Sequence, residues 1–178
     1  MSLDPLFLLT LRYFLALLLL SAGLHKSANL GRVREAIGAY CTLLIGFEAR
    51  VAWLVIGVEL IIGGALFVPS AAQLAVLAAA GVFAVYFAVM ALSWVRGHRE
   101  VKCGCSFQHT ETSLSGAHLV RNVLLVILAI VGSVAGSRRE VSWVDGVQIA
   151  AAVACLSLLY LSADALLARP GNVTGREA

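Results

Sequence analysis

Five long apolar stretches, each close to the thickness of a bilayer, constrain this chain more than any other feature. They cover approximately residues 6–24, 51–68, 71–95, 118–135 and 143–163. A hydrocarbon core of roughly 30 Å needs about 20 residues of α-helix, and a stretch as long as 71–95 rises roughly 37 Å, enough to cross with tilt. None alternates apolar and polar residues as a barrel strand does. The expectation is therefore all-α: a polytopic integral membrane helical bundle of four to five transmembrane helices. Composition agrees, because only 13% of residues are charged against roughly 25% in a soluble domain. The size suits one transmembrane domain over residues 1–178. The net charge of +3 comes from cations in short loops beside apolar stretches, which points to lipid headgroups and topology, not to nucleic acid. Leu24-His25-Lys26 follows the first stretch in place of a small-residue cleavage site, so that stretch reads as uncleaved.

Between the first two stretches, Ser27 to Arg50 is mixed. Arg34-Glu35 precede Ile37, Tyr40, Leu43 and Leu44 at helical spacing, which predicts an amphipathic interfacial or partly re-entrant helix. Pro69-Ser70 breaks the chain tightly, so the second and third spans are predicted to be antiparallel neighbours.

The longest polar loop holds the chemistry. It contains His98, Arg99, Lys102, Cys103, Gly104, Cys105 and His109. Cys103 and Cys105 can close on each other only through a very small ring, which departs from relaxed disulfide geometry and is more oxidising than a structural bridge. Gly104 supplies the backbone freedom for that closure, and Lys102 and Arg99 favour the thiolate. A reversible redox pair is the leading reading; simple packing, or bridging to other cysteines, is the plain one. His98, Cys103, Cys105 and His109 also offer two sulfurs and two imidazoles, chemically suited to zinc or copper, but their spacing fits no common zinc signature. Of the remaining two among four cysteines, Cys155 reads as a small buried hydrophobe, and Cys41 as an incidental thiol that would resolve the pair only if its segment folds over the loop.

Glu59 is the second candidate. It lies about 12 Å into the second span by helix rise, and an intramembrane carboxylate normally faces the bundle interior with a partner. Lys26, Arg12 and Arg121 are candidate partners, although Arg12 could also snorkel to the nearer interface. A structural tie outweighs a proton-relay or cofactor role on composition alone. Arg121-Asn122 opens the fourth span and suits helix anchoring. His118, a turn earlier, reads as a wet interfacial histidine.

These short motifs fall in a recognisable order: Arg12, Ala22-Gly-Leu-His25-Lys26, Glu59-Leu-Ile-Ile-Gly63, Arg96-Gly97, Cys103-Gly104-Cys105 and Leu119-Val-Arg121-Asn122. In that order, over about residues 12 to 160, the chain resembles the MauE family of methylamine utilisation membrane proteins, relatives of the DoxX-like membrane proteins. The family pattern continues Cys-Gly-Cys with Phe-Gly, whereas this chain continues with Ser106-Phe107-Gln108. The resemblance implies a multi-pass bacterial inner-membrane protein that supports maturation of the disulfide-rich small subunit of methylamine dehydrogenase, or of another exported client. It implies a thioredoxin-like partner, MauD, exchanging disulfides at Cys103 and Cys105, with Glu59, Lys26, Arg121 and Asn122 in support. A quinone is a possible electron acceptor that the residues do not name.

The resemblance implies a periplasmic cysteine loop. The charge bias opposes this: Lys26, Arg32, Arg34, Arg96, Arg99 and Lys102 share one side, and the positive-inside rule places that side in the cytoplasm. Disulfide chemistry favours the exterior. A non-catalytic scaffold for a thioredoxin-like protein and its client, or a small metal or solute carrier, are the competing functions.

Overall fold

A computed structural model describes residues 3–40, 46–96, 116–134 and 141–167. Among these residues the chain is helical apart from turns, caps and an isolated bridge residue at Leu3. Its elements are α1 (Pro5–Ala28), α2 (Leu30–Tyr40), α3 (Glu48–Ala65), α4 (Ala72–Val95), α5 (Gly116–Gly132) and α6 (Trp143–Leu167). Of these, α1, α4 and α6 are long and apolar enough to cross a membrane, and α5 is a shorter apolar helix. The protein is a multi-pass membrane helical bundle.

Local chemistry sets the helix ends. Asp4 caps α1 by accepting a 2.8 Å bond from the Leu6 N–H, and Pro5 starts the helix where its missing N–H costs nothing. The helix runs on past the apolar stretch to Ala28, which places Lys26 inside its last turn. Ser142 and Asp145 cap α6 reciprocally: the Ser142 N–H donates to Asp145 Oδ2 at 2.8 Å, and the Asp145 N–H to Ser142 Oγ at 3.4 Å. Before α3, Gly46 adopts φ 91°, a left-handed conformation open to glycine at little cost. Its N–H donates to Glu48 Oε2 at 2.9 Å.

The central helix is α1, which packs on α3, α5 and α6, while α4 lies against α5 and α3. The contact between α1 and α3 is set by two glycines. A Cβ on Gly63 would lie 2.8 Å from Leu20 Cγ, and one on Gly23 would lie 2.9 Å from Leu60 Cδ2. Leu20 with Gly63, and Gly23 with Leu60, define an antiparallel register in which the small residue lets the backbones approach. The predicted pairing across Pro69-Ser70 is also present, since α3 and α4 pack together on either side of that turn. The core of Phe14, Leu15, Leu19, Val76, Ala79, Phe83 and Ala129 is buried between helices.

The exterior is apolar. Ile61, Leu74 and Leu158 are exposed, while Lys26, Glu59, Asn122 and Asp164 are buried. Such a surface would be a liability in water and is the ordinary one in lipid. Segment α2 carries exposed Arg32, Arg34 and Glu35 with Val33 turned inward, the expected amphipathic pattern, and packs on α3. Leu43 and Leu44, expected to extend it, lie outside the described residues.

Candidate functional site

Glu59 sits on α3 and is fully buried, with 0% exposure. Side chains on a helix lean toward its N-terminus, so Lys26 in the last turn of α1 reaches back into the bundle. Its Nζ donates to Glu59 Oε1 and, at 2.9 Å, to the Tyr86 hydroxyl of α4. The Tyr86 hydroxyl donates in turn to the same Glu59 oxygen. The Lys26 ammonium also lies 4.5 Å from the Tyr86 ring centroid, within cation–π range. Three helices are thereby joined through one carboxylate oxygen. Glu59 Oε2 is buried and has no partner among the described residues.

A second charged pair lies beside the first. Arg121, in the second turn of α5, donates to Asp164 Oδ1 of α6. Its guanidinium stands 5.5 Å from the centroid of the Tyr160 ring. Asn122 Nδ2 donates to the His118 carbonyl at 3.1 Å and approaches Met90 Sδ at 4.0 Å. Lys26, Glu59, Tyr86, Arg121, Asn122 and Tyr160 line one cleft of about 30 Å³, room for one or two water molecules. Its walls include Leu18, Leu19, Phe83 and Leu125.

Of the partners anticipated for Glu59, the structure selects Lys26. Arg121 pairs with Asp164 instead, and Arg12 donates through Nε to the Leu66 carbonyl, satisfying a carbonyl in the turn after α3. The expectation of a wet His118 is overturned: it is 2% exposed, because it shares the inward face of α5 with Asn122 and Leu125, four and seven residues on, while Gly116 and Val120 beside it are exposed. Cys155 departs in the opposite sense and is exposed. The inward stripe of α6 is carried by Ile149 and Val153, four residues apart and so on one face, and a position two residues further on points elsewhere. Tyr86, Tyr160 and Asp164 belong to the cluster without having been singled out in the sequence. Asp164 had a usable signal, a second acid at the rim of an apolar stretch.

Cys41, His98, Cys103, Cys105 and His109 lie outside the described residues, as do Arg99 and Lys102. Among the described residues no group of three metal-ligating side chains occurs. The flanks of the cysteine segment are described. Val95 ends α4 and Gly116 begins α5, so Arg121 and Asn122 lie within two turns of the point where that segment rejoins the bundle.

The family profile described as methylamine utilisation protein MauE matches residues 4–135. The chain belongs to the MauE family. A relative from Paracoccus denitrificans, the methylamine utilization protein MauE, is 32% identical over 167 residues, 92% of this chain and 88% of that protein. No solved structure matches the chain. The family match takes in α1 to α5, including Lys26, Glu59, Tyr86 and Arg121, while α6 with Tyr160 and Asp164 lies beyond it.

Proposed function

We propose that this MauE-family protein is a membrane thiol–disulfide redox component of methylamine utilisation. It supports disulfide formation in an exported client, with the methylamine dehydrogenase small subunit as the first candidate. Cys103 and Cys105 form the exchanging pair, and the immediate partner is a thioredoxin-like protein resembling MauD. In the exchange, one thiolate of the reduced partner attacks the Cys103–Cys105 disulfide, the partner's second thiolate closes the partner's own disulfide, and Cys103 and Cys105 are released as a dithiol. Electrons and protons balance between the two pairs.

The observation that carries this reading is the position of Cys103-Gly104-Cys105 in the connection from α4 to α5, in a chain whose family membership spans that connection. Lys26, Glu59, Arg121 and Asn122 support it by holding the helices on which that segment is mounted. The single domain crosses the bacterial inner membrane five times, with α1, α3, α4, α5 and α6 as spans and α2 at the interface. An N-terminus in the cytoplasm then places the cysteines in the periplasm, where disulfides persist.

Labelling of intact cells with a membrane-impermeant thiol reagent, before and after mild reduction, tests this. A variant retaining only Cys155 corrects for background. Labelling of Cys103 and Cys105 only after reduction is the expected result. Thiols that react only in permeabilised cells would place the loop in the cytoplasm and leave a scaffold role as the better account.

A further inference from the structure

A carboxylate enclosed this completely normally has donors on both oxygens. Glu59 has two donors on Oε1 and none on Oε2 among the described residues, and it lines a cleft. Lys26 uses two of its three ammonium hydrogens, on Glu59 and Tyr86. Glu59 and Lys26 both line the cleft, with Phe83, Tyr86 and Tyr160, so the pair at its wall leaves one strong acceptor and one cationic hydrogen unused among the described residues. That pattern recognises a group that both gives and takes a hydrogen bond and is attached to a flat apolar body. The volume of about 30 Å³ suits the oxygen-bearing edge of such a molecule, with the remainder at the mouth.

We propose that this cleft binds the hydroxyl edge of a lipid-soluble quinol and holds the reduced form more tightly than the quinone. The proposal rests on the redox reading above and supplies its electron acceptor by chemical class. The Lys26 donor serves either form, since a quinone carbonyl and a quinol hydroxyl both accept. Glu59 Oε2 serves only the quinol, because a carbonyl has no hydrogen to donate and meets the carboxylate lone pairs head-on. Holding the product more tightly than the reactant pulls the transfer forward. In that transfer the Cys103 and Cys105 thiols lose two electrons and two protons as their S–S bond forms. The quinone gains both and becomes the quinol.

The full-length protein in lipid nanodiscs, kept anaerobic, is titrated with decyl-ubiquinone or decyl-ubiquinol against a tritiated short-chain quinone. The quinol is expected to displace the label at roughly tenfold lower concentration than the quinone, the factor for one hydrogen bond to a charged group. Glu59→Gln is expected to bring the two within about twofold, because the amide can present N–H to a carbonyl. Tyr160→Ala is expected to weaken both forms together and leave their ratio intact. Cys103→Ser/Cys105→Ser is expected to keep the ratio, so failure of the thiol chemistry and failure of the site are read separately. Absence of saturable displacement, equal affinities in the unaltered protein, or an unchanged ratio in Glu59→Gln would overturn the proposal. So would displacement by diacylglycerol as effective as by quinol, which would assign the cleft to a lipid hydroxyl. Where Glu59→Gln does not fold, the ratio in the unaltered protein and the Tyr160→Ala result decide.

Discussion

Replacing Lys26 with methionine should destabilise the bundle far more than removing a surface charge would. The side chains of Lys26 and Glu59 are 6% and 1% exposed, so neither has water to fall back on. Lys26→Met would leave the Glu59 carboxylate with Tyr86 as its one donor among the described residues, and Oε2 already has none. Removing one partner of a buried pair costs about 3–5 kcal/mol, because the remaining charge is uncompensated. Glu59→Gln should cost less, about 1–3 kcal/mol, since the amide oxygen still accepts from Lys26 and Tyr86. The double variant should then fall short of the sum of the two by at least about 1 kcal/mol, in the range seen for residues in direct contact. Reversible unfolding in mixed micelles, followed by circular dichroism, gives all four corners of this cycle. A Lys26→Met cost under about 1 kcal/mol, or additivity within about 0.5 kcal/mol, would refute the claim that this pair joins α1, α3 and α4.

Glycine substitutions should divide sharply in the same unfolding assay. Gly63→Ala is expected to cost about 1–3 kcal/mol, because its Cβ would meet Leu20 Cγ at 2.8 Å and the Leu20 backbone nitrogen at 3.2 Å. Gly81→Ala, with open space around it, should be neutral or stabilising by up to about 1 kcal/mol. Removing the α1 cap by Asp4→Ala should cost about 1 kcal/mol and raise amide exchange in the first turn without affecting α4. At the first residue of α3, partly exposed and ahead of the apolar stretch that begins at residue 51, hydrogen bonds from the Glu48 and Gly46 backbone N–H groups, with a smaller contribution from Arg34, hold the Glu48 carboxyl below its ordinary range. A depressed carboxyl contributes order that is present above its unfolded value and is lost as pH falls through the folded one. The protection factor of the Gly46 amide should therefore drop with acidification, and Glu48→Gln should abolish that pH dependence.

The apolar stretches made the helices legible because a bilayer needs both length and hydropathy, and both are properties of the linear sequence. The pairing of charges was less legible. Lys26, Arg12 and Arg121 all sat near helix ends, and only the antiparallel register set by Gly23 and Gly63 brings Lys26 to Glu59. Tyr86 was hidden by its setting, since a lone tyrosine inside a long apolar run reads as packing until a buried carboxylate is known to face it. Asp164 sits one residue past the expected end of its stretch at 163, but α6 continues to Leu167, which turns a presumed flank into bundle interior. Cys155 shows the opposite limit. Hydropathy does not say which face of an apolar helix meets lipid.

The two buried ion pairs also set an order of assembly during synthesis. Lys26 precedes Glu59 by 33 residues, so the acid enters a bilayer where its cation is already waiting at the end of α1. Arg121 precedes Asp164 by 43 residues, and at 5–20 residues per second that leaves the guanidinium without its acid for roughly 2–9 s. During that interval α5 lies inserted without its tie to α6, held by its packing on α4. A chain truncated between α5 and α6 would be fixed in that state, and membrane quality control would meet it as an unfinished protein.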